Sequence, residues 1–176
     1  MAPCKLYIAA SLDGFIARPD GSLDWLEGLP NPDRSDYGYA AFYASIDTVV
    51  MGRKTYEAVL GFDVEWPYGD ARTLVLTTDP DYTVRTPNTG VLPGLDKGIL
   101  AQLGKQSDRG IWVVGGGQVV SAFLSLGAID EMKLCVIPVL LGEGIPLFPG
   151  SLPEQSFTLT STESYASGAV MLSYRQ

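Results

Sequence analysis

Histidine does not occur anywhere in the chain. Without it, Ser-His-Asp and Cys-His nucleophilic catalysis are excluded and a catalytic zinc site is disfavoured, so any chemistry must rest on carboxylates, tyrosines or a bound cofactor. Cysteine is almost missing too. Cys4 and Cys135 are the only two, and each sits in an apolar, strand-like segment without export signals, so they read as buried thiols rather than a disulfide or a metal pair. Cations are scarce: 12 Lys and Arg stand against 20 Asp and Glu, a net charge of −8. That balance repels polyanions, and no basic run or aromatic stacking module offsets it, so nucleic acid is not an expected partner. Long hydrophobic runs are lacking as well. VIPVLLG at 136–142 falls far short of the ~20 apolar residues that span a bilayer, and MAPCKLYIAAS shows no separate basic and apolar signal regions. No membrane association is expected, and the location implied is cytoplasmic.

What is present is a folding sequence. Apolar residues make up 46% and charged residues 18% of the 176 positions, distributed along the whole length, which excludes a disordered chain and fits one domain over residues 1–176. KLYIAA (5–10) is a strand candidate followed by the Asp13-Gly14 turn signal and a loop containing Pro19, Gly21 and Gly28. Apolar groups at helical spacing run over 36–46, with Asp36 placed to open or cap the helix. TVVMG (48–52) is a buried strand and RKTYEAVL a helix that stops at Gly61. RTLVLTT (72–78), two short strand-like pieces near 82–92, a helix over about 95–105, the strand IWVVG (111–115) and the helix QVVSAFLSLG (118–127) follow. Thereafter EMKLCVIPVLLG, SFTLTSTES and GAVMLSYR read as strands with no helix between them, the last two an antiparallel pair turning at 166–168. Alternating strands and helices with a strand-rich tail predict an α/β fold: a mostly parallel central sheet with antiparallel C-terminal strands and helices on both faces.

Three strand ends carry groups suited to phosphate. In IWVVGGGQVV, glycines between strand and helix let backbone amides approach a ligand closely, and a helix N-terminus offers free N–H groups with partial positive charge. The alternative is a flexible turn. The spacing is not G-x-G-x-x-G, since its last position falls on Val120, so a standard Rossmann fingerprint is not implied. In MGRKTYE (51–57), another strand ends in glycine and opens a helix, adding Arg53, Lys54 and Thr55. This is either a phosphate site or a solvated helix start. In LVLTTDP (74–80), Thr77 and Thr78 are either phosphate donors or the beginning of a hydroxyl-capped turn before Pro80. All three would lie at the carboxyl edge of a parallel sheet, where open α/β folds bind ligands.

MGRKTYE, LVLTT and VVGGGQVVSAFL in this order, with KLYIAASLDGFIA before them and PVLLGEGIPLF after, resemble dihydrofolate reductase. They are more similar still to the reductase domain of the bacterial bifunctional riboflavin-biosynthesis deaminase-reductase. The resemblance covers nearly the entire chain. It implies a three-layer dihydrofolate-reductase-like fold, NADPH as cofactor, a small-molecule substrate and a homodimer. By the same resemblance, Gly52 is a cofactor-binding position, Arg53 with Thr77 and Thr78 matches the positions that hold the adenosine 2′-phosphate, and Lys54 and Thr55 match those facing the diphosphate. Gly115, Gly116, Gly117, Gln118 and Val119 match the glycine loop against the diphosphate and nicotinamide ribose. Ala9, Ala10 and Ile16 match the nicotinamide pocket, although an alanine pair in a strand also reads as packing.

Two carboxylates are catalytic candidates. Asp36 lies sixteen residues before Gly52, the spacing of the acid in dihydrofolate reductase; buried beside Tyr37, Tyr39 and Phe42 it would have a raised pKa and donate a proton, and otherwise it is a helix cap. Asp13 in SLDGFIA resembles the substrate-facing region of the riboflavin-type reductases, or forms a tight Asp-Gly turn. The segment SLDWLEGLPNPDRSDYGY lacks the Pro-Trp entry of dihydrofolate reductase, which disfavours folate, and no His/Cys zinc signature is present, so deamination is not expected. The activity implied is NADPH-dependent reduction of a small heterocyclic or ribose-derived acceptor, of the kind that reduces 5-amino-6-(5-phosphoribosylamino)uracil. Dihydrofolate reduction and non-catalytic nucleotide binding are the alternatives.

Overall fold

In a computed structural model describing residues 1–62 and 64–176, short β-branched runs form strands wherever both sheet faces are covered. The chain opens with β1 (Cys4–Ser11) and β2 (Phe15–Ala17), then the short helices α1 (Asp24–Glu27) and α2 (Tyr39–Ala44). Next come β3 (Thr48–Gly52), α3 (Arg53–Leu60), β4 (Arg72–Leu76), β5 (Thr89–Leu92) and α4 (Lys97–Gln106). The order closes with β6 (Ile111–Gly115), α5 (Gly117–Ser125), β7 (Glu131–Ile137), β8 (Ile145–Pro146), β9 (Thr158–Ser164) and β10 (Val170–Arg175).

Eight strands form one sheet in the order β5-β4-β3-β6-β1-β7-β10-β9. β5 through β7 are parallel throughout, and β10 turns back antiparallel to β7 and β9. The carboxyl ends of β1, β3, β4, β5, β6 and β7 therefore share one edge. Strand alternation sends successive side chains to opposite faces. Leu6, Val50, Leu74 and Val113 pack under α4 and α5 with Leu103, Val120 and Phe123. Val49, Met51, Val75 and Trp112 pack under α2 and α3 with Phe42, Tyr56 and Val59. The result is the expected three layers, and truncating a fully buried side chain such as Phe123 to alanine carries the usual core cost of about 3–5 kcal/mol.

Local chemistry explains the helix ends. Asp96 accepts the Ile99 N–H at 2.8 Å and starts α4, while α3 runs into Gly61, whose N–H bonds back to Glu57 and Ala58. The sequence reading differs from the structure in three places. Only one strand, β5, forms where two pieces near 82–92 were expected, and α1 and the two-stranded β2-β8 ribbon were not anticipated. Cys4 and Cys135 are buried free thiols, as expected.

Candidate active site

The carboxyl edge gathers the phosphate-compatible segments. β3 ends at Gly52, which stands directly before α3, and β6 ends at Gly115, two residues before α5. β3 pairs with both β4 and β6, so Gly52 lies across from Leu76 and Met51 across from Gly115. Two helix N-termini thus open side by side, each with unpartnered backbone N–H groups and positive partial charge.

The three consecutive glycines do different things. Gly115 has φ +126°, a conformation that side-chain-bearing residues rarely adopt, and its peptide to Gly116 is cis. Gly116 faces the space between the helices: a Cβ built there would lie 3.6 Å from Thr55 Oγ1 and 3.9 Å from Ile16 Cδ1. Gly117 faces protein instead. It is buried, and a Cβ on it would collide with Pro146 O and stand 2.8 Å from Pro149 Cδ. The 146–149 segment thus fills the side-chain direction of Gly117, leaving only its backbone N–H at the start of α5 for a ligand. Ser121 reinforces this packing by donating to Pro149 O at 3.1 Å. Val119 is buried, 3.1 Å from a Cβ built on Gly52, and so packs the two strand ends together, whereas Gln118 is exposed.

Around β4, the hydroxyl pair also divides. Thr78 is exposed, but Thr77 is buried and its Oγ1 accepts the Asp79 N–H at 3.2 Å, forming the hydroxyl-capped turn. Arg53 reaches this turn: its Nη1 lies 3.7 Å from Asp79 Oδ2, and its guanidinium carbon is 5.8 Å from the centroid of the Tyr82 ring. Asp79 and Tyr82 are walls of a cavity of about 600 Å³, lined also by Tyr56, Glu57, Asp81 and Arg85. Sequence reasoning missed Asp79 and Tyr82. The run TTDPDY places acidic and aromatic groups after the threonines, but nothing local in it aims them at Arg53. Lys54 is exposed at the start of α3.

At β1, alternation separates the alanine pair. Ala10 is 2% exposed on the face shared with Leu6 and Ile8, while Ala9 packs on the opposite face with Trp25, Cys135 and Tyr37. Their methyl groups therefore point to opposite faces of the sheet, and both read as packing in the ligand-free chain. Ile16, by contrast, reaches Gly116 from the β2 side. Asp13 ties this corner down. It accepts Ser11 Oγ–H at 2.6 Å, Leu141 N–H at 3.1 Å and Gly142 N–H at 2.7 Å, and the Ser11 bond followed by the two amides holds its pKa down at about 2.

Asp36 differs from expectation. It is exposed, not buried: Tyr37 turns inward with φ 55°, and the carboxylate points back to accept Ala40 N–H at 3.0 Å and Gly38 N–H at 2.9 Å. Those bonds lower its pKa, so the raised-pKa acid is corrected to an ionised cap ahead of α2. With Asp13 at about 2, roughly one molecule in 10⁵ carries that proton at pH 7. Both carboxylates are engaged in accepting hydrogen bonds from their own loops.

Chemically, the edge offers two amide-bearing helix ends, one close-approach glycine, a cation on an aromatic ring and a hydroxyl between them. That set suits an extended, phosphate-bearing ligand. Residues 62–171 match the family described as the RibD C-terminal domain. The chain belongs to that family. Members make up the reductase part of the riboflavin-pathway deaminase-reductase, and the match bears out the resemblance noted in the sequence. Over 169 residues the chain is 41% identical to the uncharacterised protein YwjB of Bacillus subtilis (strain 168), covering 96% of this chain and 95% of YwjB. A crystal structure of a candidate riboflavin biosynthesis protein from Shewanella sp. PV-4 superposes with a TM-score of 0.86 at 35% identity, covering 99% and 98% of the two chains. The diaminohydroxyphosphoribosylaminopyrimidine deaminase/5-amino-6-(5-phosphoribosylamino)uracil reductase of Thermotoga maritima shares the fold, with a TM-score of 0.72 at 18% identity. There the match covers 99% of this chain and 56% of that one. No helix among the described residues is long and apolar enough to cross a membrane.

Proposed function

We propose that the chain is a pyridine-nucleotide-dependent reductase that takes hydride from NADPH and delivers it to a small heterocyclic or ribose-derived acceptor. The observation that carries this reading is the meeting of Gly116, Thr55 and Ile16 at the mouth between α3 and α5. There a diphosphate would rest on the helix amides, with Thr55 donating to it, and the nicotinamide would extend toward Ile16 and β1. Arg53, beside Thr77 and Thr78, would take the adenosine 2′-phosphate. The cofactor supplies the hydride; the chain's residues bind it, orient it and exclude water.

The acceptor would lie next to the nicotinamide on the Ala9 side of β1, against the part-buried Tyr7, Tyr37 and Tyr165 that cover Trp25. Burial pushes the Tyr7 phenol up, so it stays neutral, with its hydroxyl donating to Tyr37 O at 3.1 Å. Because Asp13 and Asp36 are ionised, the proton that completes reduction would come from water rather than from a buried acid. Folate reduction loses its support for the same reason, since the acid that resemblance placed at Asp36 faces solvent. Reduction of 5-amino-6-(5-phosphoribosylamino)uracil is the named activity nearest to this reading.

The test is titration of wild type and Arg53→Ala with NADPH and NADH. Losing a charge-assisted phosphate contact should weaken NADPH by about 1.5–3 kcal/mol and leave NADH nearly unchanged. Failure of the wild type to bind either nucleotide would reject the proposal.

A further inference from the structure

Arg53 already has a partner in the ligand-free chain, and that partner is built in. Asp79 presents Oδ2 to the guanidinium at 3.7 Å, while its Oδ1 accepts the Asp81 N–H at 3.1 Å and its own N–H donates to Thr77 Oγ1 at 3.2 Å. Its carboxylate is therefore fixed at the end of β4, among the residues assigned to a 2′-phosphate. The neighbouring cavity adds Glu57 and Asp81, so three carboxylates face it against one Arg85. In a chain of net charge −8, no wider positive field compensates.

A 2′-phosphate carries about −1.5 to −2 charges at neutral pH, on the scale of other phosphate monoesters. To reach Arg53 it must take the guanidinium from Asp79 or share it with a like charge at short range. A bare ribose 2′-hydroxyl meets no such repulsion and can donate to a carboxylate, the device by which an acidic residue accommodates unphosphorylated nucleotides in dinucleotide folds. We propose that Asp79 is a specificity-determining residue that offsets the pull of Arg53 on the 2′-phosphate and narrows the preference for NADPH over NADH to less than about tenfold. The inference rests on the reading of this edge as a pyridine-nucleotide site.

Asp79→Asn is the decisive variant, because the amide oxygen can still accept the Asp81 N–H and the turn is retained while the charge is lost. Asp81→Asn makes the same change in net charge two residues away. Dissociation constants of both variants and wild type for NADPH and NADH are measured from nicotinamide fluorescence at fixed low salt. The expected result is an NADPH/NADH preference raised at least about tenfold by Asp79→Asn, with NADH affinity within about twofold of wild type and little change in Asp81→Asn. If both nucleotides bind but Asp79→Asn leaves the preference unchanged, or Asp81→Asn shifts it equally, the role of Asp79 is overturned and the nucleotide site stands. If neither nucleotide binds wild type, the site reading fails and this inference goes with it.

Discussion

Gly116 and Gly117 are adjacent in sequence, yet alanine at each should damage different properties. At Gly117 the new methyl would collide with Pro146 O, stand 2.8 Å from Pro149 Cδ and 3.2 Å from Leu147 O. Two of these atoms belong to backbone and cannot rotate away. Overpacking of this kind costs typically about 1–3 kcal/mol, and immovable neighbours put Gly117→Ala at the upper end. With a urea slope of about 1–3 kcal/mol/M for a small protein, the unfolding midpoint should fall by about 1–3 M. At Gly116 the nearest atoms are 3.6 and 3.9 Å away, ordinary contact distances, and φ is −64°. Stability should stay the same or rise by up to about 1 kcal/mol, since alanine restricts the unfolded chain more than glycine does. The methyl nonetheless fills the gap between Thr55 and Ile16 where the cofactor is placed, so NADPH affinity should drop at least about tenfold, or ~1.4 kcal/mol. Paired urea melts and NADPH titrations separate the two effects. Wild-type NADPH affinity in Gly116→Ala would refute the placement of the cofactor, and equal destabilisation of both variants would refute the division of roles.

Tyr56, fully buried, accepts Arg85 N–H at 2.8 Å and Thr86 N–H at 3.2 Å through its hydroxyl. Tyr56→Phe keeps the ring and strands both amides, so chemical denaturation should show a loss of about 1–3 kcal/mol; an unchanged midpoint would mean that water replaces the hydroxyl without penalty. The Asp13 tether should depend on acid with a defined sign. Its folded pKa of about 2 lies below the ordinary 3.8, so the tether is at full strength above about pH 4 and is lost as pH falls through about 2. Amide signals of Leu141 and Gly142 should titrate in that window in wild type and not in Asp13→Asn. A wild-type midpoint near 4 or above would contradict the hydrogen-bonded geometry.

What the sequence disclosed was whatever is written in local pattern. The β-branched runs at 48–52 and 111–115 became central strands because both faces of each are covered, and their terminal glycines open helices where strand-to-helix periodicity changes. Strand order is another matter. β6 enters between β3 and β1 although β3 is sixty residues earlier, and hydrophobic period carries no information about lateral neighbours. The β2-β8 ribbon escaped because strands of three and two residues are shorter than any period that could announce them.

The site was legible to the same depth. Arg53, Thr55 and Gly116 stood out because each lies at a strand-to-helix junction, and the structure brings those junctions together. The packing reason for a glycine at 117 was not legible, because what excludes a side chain there is about thirty residues away, at Pro146 and Pro149. Asp36 was misread because aromatic neighbours in sequence were taken for burial. In the fold the backbone flips at Tyr37, so the tyrosine enters the core and the carboxylate stays in water, bonded to two amides of its own turn. Asp79 shows the converse. Nothing about an aspartate after two threonines distinguishes a turn former from a charge aimed at a distant arginine, and only the packing of α3 beside the end of β4 brings Asp79 to 3.7 Å from Arg53, the pair that the proposal sets against each other.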